Sequence, residues 1–395
     1  MPLRQEPARR LDAVMSSAGS GSSNGGVGAR KPAGGFGTAP MSGSVSRAGP
    51  VVTRPPPPKP HTTADQDEGH FQYQLGDGME ICKPHPNGRY KILRSLGSGT
   101  YGKVVECWDR QASSYCAVKV IRALRKYRAA AITEVSVLEA LRGDHGCVRM
   151  LRHFEHQDHM CLSFELLGPN LYELMRAREF KPFATGDIRI LAGQILEPLC
   201  LVHQRGVIHT DIKPENVLFK EQLHKRPVSW QPDGRMNPAD INVKLVDFGS
   251  AVYEDSYHAK TVSTRHYRAP EIMLKLGWSY PCDMWSVGCI LAELHTGKVL
   301  FELQDETQHL LSLQRVLGTI PSSLLDRTYA AGLDQDVVRQ LKRAASTSSS
   351  HNSKSLQDLI RDRELLDLIK RLLEVDPAKR LTSQQARTHP FFTPR

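Results

Sequence analysis

The octapeptide His209–Asn216, which reads HTDIKPEN, brings a carboxylate, an ammonium group and an amide together at short spacing. Asp211 can accept the proton of a hydroxyl group, Lys213 can offset negative charge, and Asn216 can help to hold a divalent metal ion. An enzyme that catalyses phosphoryl transfer needs few other groups, because positioning and electrostatic stabilisation supply almost all of the catalysis. The octapeptide therefore supplies the groups that transfer of a phosphoryl group onto a hydroxyl group would use.

A glycine-rich segment, Gly97–Val104 with the sequence GSGTYGKV, lies between two apolar, strand-like runs, Tyr90–Leu96 and Val104–Trp108. Its glycines would let backbone N–H groups approach phosphates without interference from a Cβ atom. A dinucleotide-binding loop shares this spacing but leads into a helix, whereas the β-branched residues that follow here favour a hairpin. Tyr101 at its tip could be a plain aromatic cap or a site where an added phosphate inhibits. The nucleotide-binding candidates in this region are Leu96, Gly97, Ser98, Gly99, Thr100, Tyr101, Gly102 and Val104.

Three further charged residues complete the predicted site. Lys119 lies in the strand-like run CAVK, and Glu134 opens the helical segment EVSVLEAL as the predicted partner of its ammonium group. Glu139 is the rival partner, but helical spacing places it on a different side of that segment. Asp247 in LVDFG is the predicted principal metal ligand, and Ala269–Glu271 reads APE. In this order, the elements resemble the motif set of protein kinases.

This resemblance implies that ATP is the phosphoryl donor and that Mg²⁺ accompanies it, held by Asn216 and Asp247. Lys119 would orient the α- and β-phosphates. Backbone groups near residue 165 would contact adenine, and a large side chain at position 164 would close the deeper pocket. The further residues predicted to line the nucleotide site are Ala117, Phe164, Glu165, Leu167 and Leu218.

The same resemblance assigns supporting contacts around the catalytic loop. Many kinases carry an arginine at the position of Thr210 to grip a phosphorylated activation loop, and threonine cannot do so. We therefore expect activity without loop phosphorylation. The hydroxyl groups open to autophosphorylation are those of Tyr253, Tyr257, Thr261, Ser263 and Tyr267. The expected contacts are Thr264 with Asp211 and Lys213, Arg268 with the loop backbone, and Glu271 with Arg380.

Composition narrows the class of protein. The 395 residues are 40% hydrophobic, with no apolar run of eighteen, which predicts a sizeable core and no membrane span. Eight cysteines without C-x-x-C spacing favour free thiols in a reducing compartment over structural zinc. The net charge is +10, but eight basic and two acidic residues fall within residues 1–60, so the tail carries +6 of it. Nucleic-acid binding by the folded part is therefore disfavoured.

The chain divides into three predicted parts. Residues 1–65 are rich in glycine, serine and proline and are predicted to be disordered, and Pro55–Pro60 would be a stiff linker or a ligand for SH3 or WW domains. Residues 66–88 are an extension expected to pack on the kinase domain, residues 89–393. The fold class is α+β and bilobal, with a small β-rich N-lobe at about residues 89–167 and a larger helical C-lobe at about 168–393. Helical periodicity marks Asp187–His203, Cys282–Thr296 and Arg363–Leu373.

Longer segments, among them GHFQYQLGDG, YGKVVECWD and VSTRHYRAPEIMLKLGWSYPCDMWSVGCILAEL, resemble the CDC-like, or LAMMER, kinases. This resemblance implies a dual-specificity kinase that phosphorylates serine and threonine, autophosphorylates on tyrosine and acts in the nucleus, often on Arg/Ser-rich splicing factors. The signature EHLAMMERILG appears here as Gln308–Gly318, QHLLSLQRVLG, and the tail lacks Arg-Ser repeats. Substrates in chromosome segregation therefore stay open beside splicing factors.

The sequence also leads to expectations about binding partners and to one alternative to catalytic activity. We expect a monomer that binds basic or Arg-rich protein substrates, with neither membrane nor nucleic acid as a partner. The acidic residues that could attract such substrates are Glu173, Glu179, Glu302, Asp305 and Glu306. The alternative is a catalytically weak kinase-fold scaffold that acts through its tail, but such scaffolds lose the lysine or an essential aspartate, and Lys119, Asp211 and Asp247 are all present.

Overall fold

A six-stranded antiparallel sheet forms the smaller lobe, with strand order β1-β2-β3-β4-β6-β5. The computed structural model describes residues 69–80, 85–142, 146–220, 228–301, 305–346 and 354–393, so the predicted tail, its polyproline stretch and Glu302 lie outside the described residues. The strands are β1 (Gly78–Met79), β2 (Tyr90–Ser98), β3 (Gly102–Asp109), β4 (Ser114–Ile121), β5 (Met150–His156) and β6 (His159–Glu165).

The glycine-rich segment is the turn of the β2–β3 hairpin, as the β-branched residues after it predicted. Gly97 pairs with Val104 and Ser98 with Lys103, and two register shifts in β2 bend the hairpin. At Gly102, φ is +158° and a Cβ atom would lie 2.0 Å from the carbonyl oxygen of Val120, so only glycine fits there. The dinucleotide-binding alternative is excluded because no helix follows the turn.

Residues 69–80 pack against this sheet and end in its edge strand β1. The backbone N–H of Ala123 donates to the carbonyl of Gly69 at 2.7 Å, and Lys103 Nζ donates to the carbonyl of Phe71 at 3.0 Å. The Phe71 side chain is buried, with its ring edge-on to His156 and His159. Buried aromatic surface stabilises this contact between the segment and the lobe.

A single long helix, α1 (Arg125–Leu141), packs against the sheet. Its buried side chains recur at helical spacing, which turns one stripe toward the sheet and the other toward solvent. Glu134 lies on the buried stripe, whereas Glu139 is exposed. The spacing argument against Glu139 is therefore confirmed, and the helix begins nine residues before Glu134.

The larger lobe is built from helices around α5 (Pro281–Thr296), in which nearly every side chain is buried. The three helices predicted from periodicity match α3, α5 and α10 within two residues at each end. Two short antiparallel sheets, β7–β10 and β8–β9, lie where this lobe meets the other. The strands are β7 (Val207–Ile208), β8 (Val217–Phe219), β9 (Val243–Leu245) and β10 (Val252–Tyr253). The helices are α2 (Leu171–Ala177), α3 (Thr185–Gln204), α4 (Pro270–Met273), α5 (Pro281–Thr296), α6 (Glu306–Leu317), α7 (Ser322–Ala330), α8 (Gln335–Ser346), α9 (Leu356–Leu359), α10 (Arg363–Leu372) and α11 (Ser383–Arg387).

Candidate active site

A cluster of three charged side chains joins the two lobes. Lys119 Nζ on β4 lies 2.8 and 2.9 Å from the two carboxylate oxygens of Glu134 on α1. It also lies 2.8 Å from Asp247 Oδ1, which follows β9 in the larger lobe. The Glu134 side chain is almost fully buried, whereas about a third of the Asp247 side chain is exposed. Asp247 is therefore the carboxylate of this cluster that a metal ion could reach.

The charges in the cluster are interdependent. Burial alone would raise the pKa of Asp247, but the Lys119 ammonium group outweighs it and lowers that pKa to about 2. Burial alone would lower the pKa of Lys119, yet the two carboxylates raise it above its usual value. With both carboxylates ionised, the cluster carries one more negative than positive charge, which a divalent cation beside Asp247 would offset.

Gly249, two residues after Asp247, lets the backbone pass close to the three charged side chains. A Cβ atom on Gly249 would lie 3.0 Å from Lys119 Nζ, 3.2 Å from Asp247 Oδ1 and 3.3 Å from Glu134 Oε2. Phe248 is buried with its ring 4.9 Å from that of His209, and His209 Nε2 lies 3.0 Å from the carbonyl of Val246. These contacts tie the Asp247 segment to the catalytic loop.

The catalytic loop holds Asp211, Lys213 and Asn216 in one hydrogen-bonded group. Lys213 Nζ donates to Asp211 Oδ2 at 2.7 Å and to Thr264 Oγ1 at 3.1 Å. The Thr264 hydroxyl and backbone N–H both donate to Asp211 Oδ1, at 2.7 and 3.0 Å. Asn216 Nδ2 donates to the carbonyl of Asp211 at 2.9 Å, so the amide oxygen is the atom left to ligate a metal.

A buried carboxylate on α5 supports this loop from below. Asp283 accepts hydrogen bonds from the backbone N–H groups of His209 and Thr210, both at 2.8 Å, and from His203 Nε2 at 2.9 Å. Thr210 has φ of +67°, a conformation that costs a β-branched residue energy and needs such support. Sequence reasoning missed Asp283, because nothing in its local pattern separates it from other helical residues.

Hydrogen bonds join the catalytic loop to the activation segment and fix the backbone of that segment. The Thr210 hydroxyl donates to the carbonyl of Ser250 at 2.9 Å, and the Ser263 hydroxyl donates to the carbonyl of Thr210 at 2.6 Å. Arg268 donates to the carbonyls of Val262 and Ser263, both at 2.9 Å. The contacts expected of Thr264 and Arg268 are therefore present.

The activation segment is anchored at its end by a buried ion pair. Arg380 donates through both terminal nitrogens to the Glu271 carboxylate, at 2.7 and 2.8 Å, and both side chains are fully buried. The guanidinium group also donates to the carbonyls of Glu374 and Pro281. This is the pair expected from the sequence, with its remaining donors satisfied, as a buried charge pair requires.

The candidate acceptor hydroxyls of this segment differ in access. The Tyr267 hydroxyl donates to the buried Glu293 carboxylate at 2.7 Å, and burial together with that carboxylate raises its pKa. Tyr253 shares a hydrogen bond with Ser136 at 3.1 Å. The Tyr257 side chain is 82% exposed, and Thr261 is also exposed. Tyr257 and Thr261 are therefore the accessible acceptors, and Tyr267 is a packed residue.

The predicted adenine-site residues lie where the two lobes meet. Ala117 on β4 pairs with Phe164 on β6, and Phe164 is buried at the end of that strand. Leu167 is partly buried in the segment that leaves β6, and Leu218 lies on β8 below it. A Cβ atom on Gly97 or Gly99 would meet nothing within 4 Å, so the hairpin turn leaves open space. This open space beside the hairpin, next to strands that carry apolar side chains, is compatible with a nucleotide cradle.

The acidic residues suggested for substrate attraction mostly serve other contacts. Glu173 closes a capping box at the start of α2, and Asp305 caps α6. Glu306 accepts from Arg268 at 3.1 Å, and Glu179 pairs with Lys181 at 3.2 Å. Glu215 was missed, although it is exposed on the catalytic loop itself.

The protein kinase domain model matches residues 90–392. The chain belongs to the protein kinase family. It is 37% identical over 352 residues to the serine/threonine-protein kinase AFC3 of Arabidopsis thaliana. That alignment covers 83% of this chain and 86% of AFC3. It is 40% identical over 346 residues to the dual specificity protein kinase CLK1 of Homo sapiens, in an alignment that covers 83% of this chain and 69% of CLK1. A crystal structure of the PF14_0431 kinase domain aligns at 28% identity and a TM-score of 0.70, with 83% of this chain and all of that chain covered.

These comparisons confirm the resemblance to the CDC-like, or LAMMER, kinases and the bilobal fold. A protein kinase uses ATP with a divalent metal ion, and the cradle and the Asp247 carboxylate of this kinase fit both. Within the part of the chain that the structure describes, no helix of this kinase is long and apolar enough to cross a membrane. Seven of its cysteines are buried free thiols; Cys82 lies outside the described residues.

Proposed function

We propose that this kinase transfers the γ-phosphoryl group of ATP, bound with Mg²⁺, to serine and threonine hydroxyls of basic nuclear proteins, and autophosphorylates on tyrosine. The observation that carries the proposal is that two clusters of polar and charged side chains lie close together where the two lobes meet. Lys119, Glu134 and Asp247 form one group, and Asp211, Lys213, Thr264 and Asn216 form the other.

Each of these residues has a role that its contacts support. Bound ATP supplies the phosphoryl group, and the metal offsets charge on its oxygens. Lys119, oriented by Glu134, would hold the α- and β-phosphates, and Asn216 and Asp247 would hold the metal ion. Asp211 accepts the proton of the substrate hydroxyl late in the transfer, with its carboxylate held by Thr264.

Lys213 would stabilise the charge of the transferring group from the other side. Its ammonium group lies between Asp211 and Thr264, where it would offset negative charge on a phosphoryl group that approaches Asp211. Such pre-positioned charge acts more strongly in a closed cleft than in water, because the local dielectric constant is low. The scaffold alternative does not need this arrangement.

The basic substrate class rests on the charge around the catalytic loop. Glu215 is exposed beside Asn216 and adds negative potential where a substrate chain must bind. Arg-rich sequences, including those of splicing factors, would be favoured there. A nuclear location and chromosome-segregation substrates are proposed on the resemblance to CDC-like kinases alone, as are a monomeric state and the binding of SH3 or WW domains by the tail.

Transfer of labelled phosphate from ATP·Mg²⁺ to two substrates tests the proposal. An Arg/Ser-rich peptide and a basic protein without Arg-Ser repeats would be compared, with Lys119→Ala and Asp247→Ala proteins alongside. We expect transfer to both substrates by the wild type and by neither variant, and a preference for the peptide would indicate splicing factors. Folded wild-type protein that binds ATP but transfers nothing would contradict the proposal and favour the scaffold.

A further inference from the structure

The tip of the glycine-rich hairpin reaches across the cleft through one side chain. The Tyr101 hydroxyl shares a 2.8 Å hydrogen bond with the hydroxyl of Ser250, which immediately follows Gly249. The ring lies with its centroid 5.6 Å from Lys119 Nζ and edge-on to Tyr127 of α1 at 5.9 Å. Tyr101 therefore covers the lysine that is expected to hold phosphates.

Ser250 connects this tip to the catalytic loop. Its hydroxyl meets Tyr101, and its carbonyl accepts the 2.9 Å hydrogen bond from the Thr210 hydroxyl. A movement of the hairpin tip is thereby linked to the segment that carries Asp247 and to the loop that carries Asp211. Neither Tyr101 nor Ser250 occupies an invariant position of the kinase motifs, so the motif pattern does not require this contact.

The backbone hydrogen bonds of the hairpin tip join it to its own lobe. Gly99 and Gly102 exchange hydrogen bonds at 2.9 and 3.3 Å, which closes the turn locally. Gly97 and Gly99 have open space beside them. The backbone carbonyl of Tyr101 accepts from Arg122 within the same lobe, at 3.0 Å. The Tyr101–Ser250 bond is thus a contact that fixes the tip against the opposite lobe.

We propose that Tyr101 and Ser250 form a latch that closes the glycine-rich hairpin over the phosphate end of the cleft. Tyr101 is a positioning residue: its ring lies over Lys119, and its hydroxyl, bonded to Ser250, sets the height of the hairpin amides above the place where phosphates would bind. Closing lids of this kind strengthen electrostatic interactions and prevent hydrolysis of the transferred group. The latch goes beyond the assignment of kinase activity, because it predicts a hydroxyl-dependent closure.

Hydrogen–deuterium exchange of the nucleotide-free, full-length protein tests the latch without relying on activity. Tyr101→Phe and Ser250→Ala each remove one hydroxyl and keep the ring or the backbone. We expect exchange across residues 96–104 to quicken about fivefold in either variant, the effect of losing one neutral hydrogen bond. The double variant should exchange no faster than the single variants, because both remove the same bond.

Matched variants separate the latch from a general loosening of the lobe. Ser250→Thr keeps a hydroxyl and should exchange like the wild type. Tyr115→Phe removes the hydroxyl of a half-exposed tyrosine on β4 and should also behave like the wild type. Unchanged hairpin exchange in Tyr101→Phe and Ser250→Ala would overturn the proposal, as would additive effects in the double variant.

Steady-state kinetics supply the second readout. In Tyr101→Phe and Ser250→Ala, the KM for ATP should rise about fivefold while kcat for peptide phosphorylation changes little. ATP hydrolysis without a protein substrate should rise relative to phosphate transfer, because water reaches the phosphate site. An equal fall in kcat and kcat/KM with unchanged KM would overturn the proposal, since it would assign these residues to the chemical step instead.

Discussion

The two ends of the active site differ in whether their contacts cross from one lobe to the other. At the nucleotide end, Lys119 from one lobe lies between Glu134 and Asp247, and the arrangement depends on charge across the cleft. At the catalytic-loop end, Asp211 is held by the hydroxyl and backbone of Thr264 and by Lys213, all within the larger lobe. The first end can open when the lobes move apart, whereas the second stays assembled.

This difference indicates where control of the enzyme can act. A protein that separates α1 from the sheet would pull Glu134 from Lys119 and disable the nucleotide end. The catalytic-loop end has no such dependence, because neutral hydrogen bonds from Thr210 and Ser263 replace the phosphate contact that many kinases need. Regulation is therefore expected at the nucleotide end and at the hairpin above it.

The largest effect is expected at the catalytic-loop end. Asp211→Asn keeps the size of the side chain but cannot accept the hydroxyl proton, so kcat should fall by about 10²–10⁴-fold. ATP binding, measured by calorimetry, should be unchanged because the nucleotide end does not contain Asp211. Asp233→Asn, at an exposed aspartate paired with Arg235, is the matched control and should retain kcat. Loss of ATP affinity in Asp211→Asn would show that the two ends are not separable.

The next effect concerns the nucleotide end. Glu134→Gln leaves Lys119 without its buried partner, so kcat/KM for ATP should fall by about 100-fold. Glu139→Gln, at an exposed position on the same helix, should have no effect. Both rates would be measured at saturating protein substrate. Equal losses in the two variants would mean that helix surface charge, rather than the ion pair, governs ATP use.

Acid should lower the stability of the fold well before it neutralises the nucleotide end. His309 on α6 is buried, and burial, together with His266 and Arg268 facing it, lowers its pKa from 6.5 to about 4. Because the unfolded chain binds this proton more readily, stability should fall as the pH drops from about 6.5 toward 4. The Lys119–Asp247 pair keeps its charge down to about pH 2, where the carboxylate would be protonated.

His309→Leu is the variant that measures this contribution. The depressed pKa of this buried imidazole is equivalent to a pH-dependent loss on the order of 3 kcal/mol, which the variant should not show. Urea unfolding at pH 7 and pH 4.5 would give the difference. A variant whose stability falls as steeply as the wild type's would assign the acid sensitivity to other groups.

Sequence reasoning was strongest for residues whose role follows from local spacing. Lys119, Glu134 and Asp247 were identified by motif, and the structure brings them within hydrogen-bonding distance. The contact of Tyr101 with Ser250 joins positions 149 residues apart, which no local pattern reveals. The sequence also did not show that Glu173 and Asp305 cap the starts of α2 and α6.

The backbone conformation of Thr210 illustrates the same limit. Its replacement of arginine was visible in the sequence, and it predicted independence from loop phosphorylation. Its positive φ and its support by Asp283 depend on a helix more than seventy residues away, so they emerge only when the lobe is packed. The chemistry of the site could be predicted from residue type, whereas the means of holding it in place could not.

The most direct test of the difference between the two ends is the activity of fully dephosphorylated protein. The protein would be treated with phosphatase, its activation segment verified by mass spectrometry, and kcat/KM measured on a basic peptide. We predict that kcat/KM stays within about fivefold of that of the untreated protein, because removing a phosphate should weaken the active site by no more than one neutral hydrogen bond does. A loss of about 100-fold or more, restored by rephosphorylation at Tyr257 or Thr261, would contradict the account, because that is the effect of losing charge-assisted phosphate contacts.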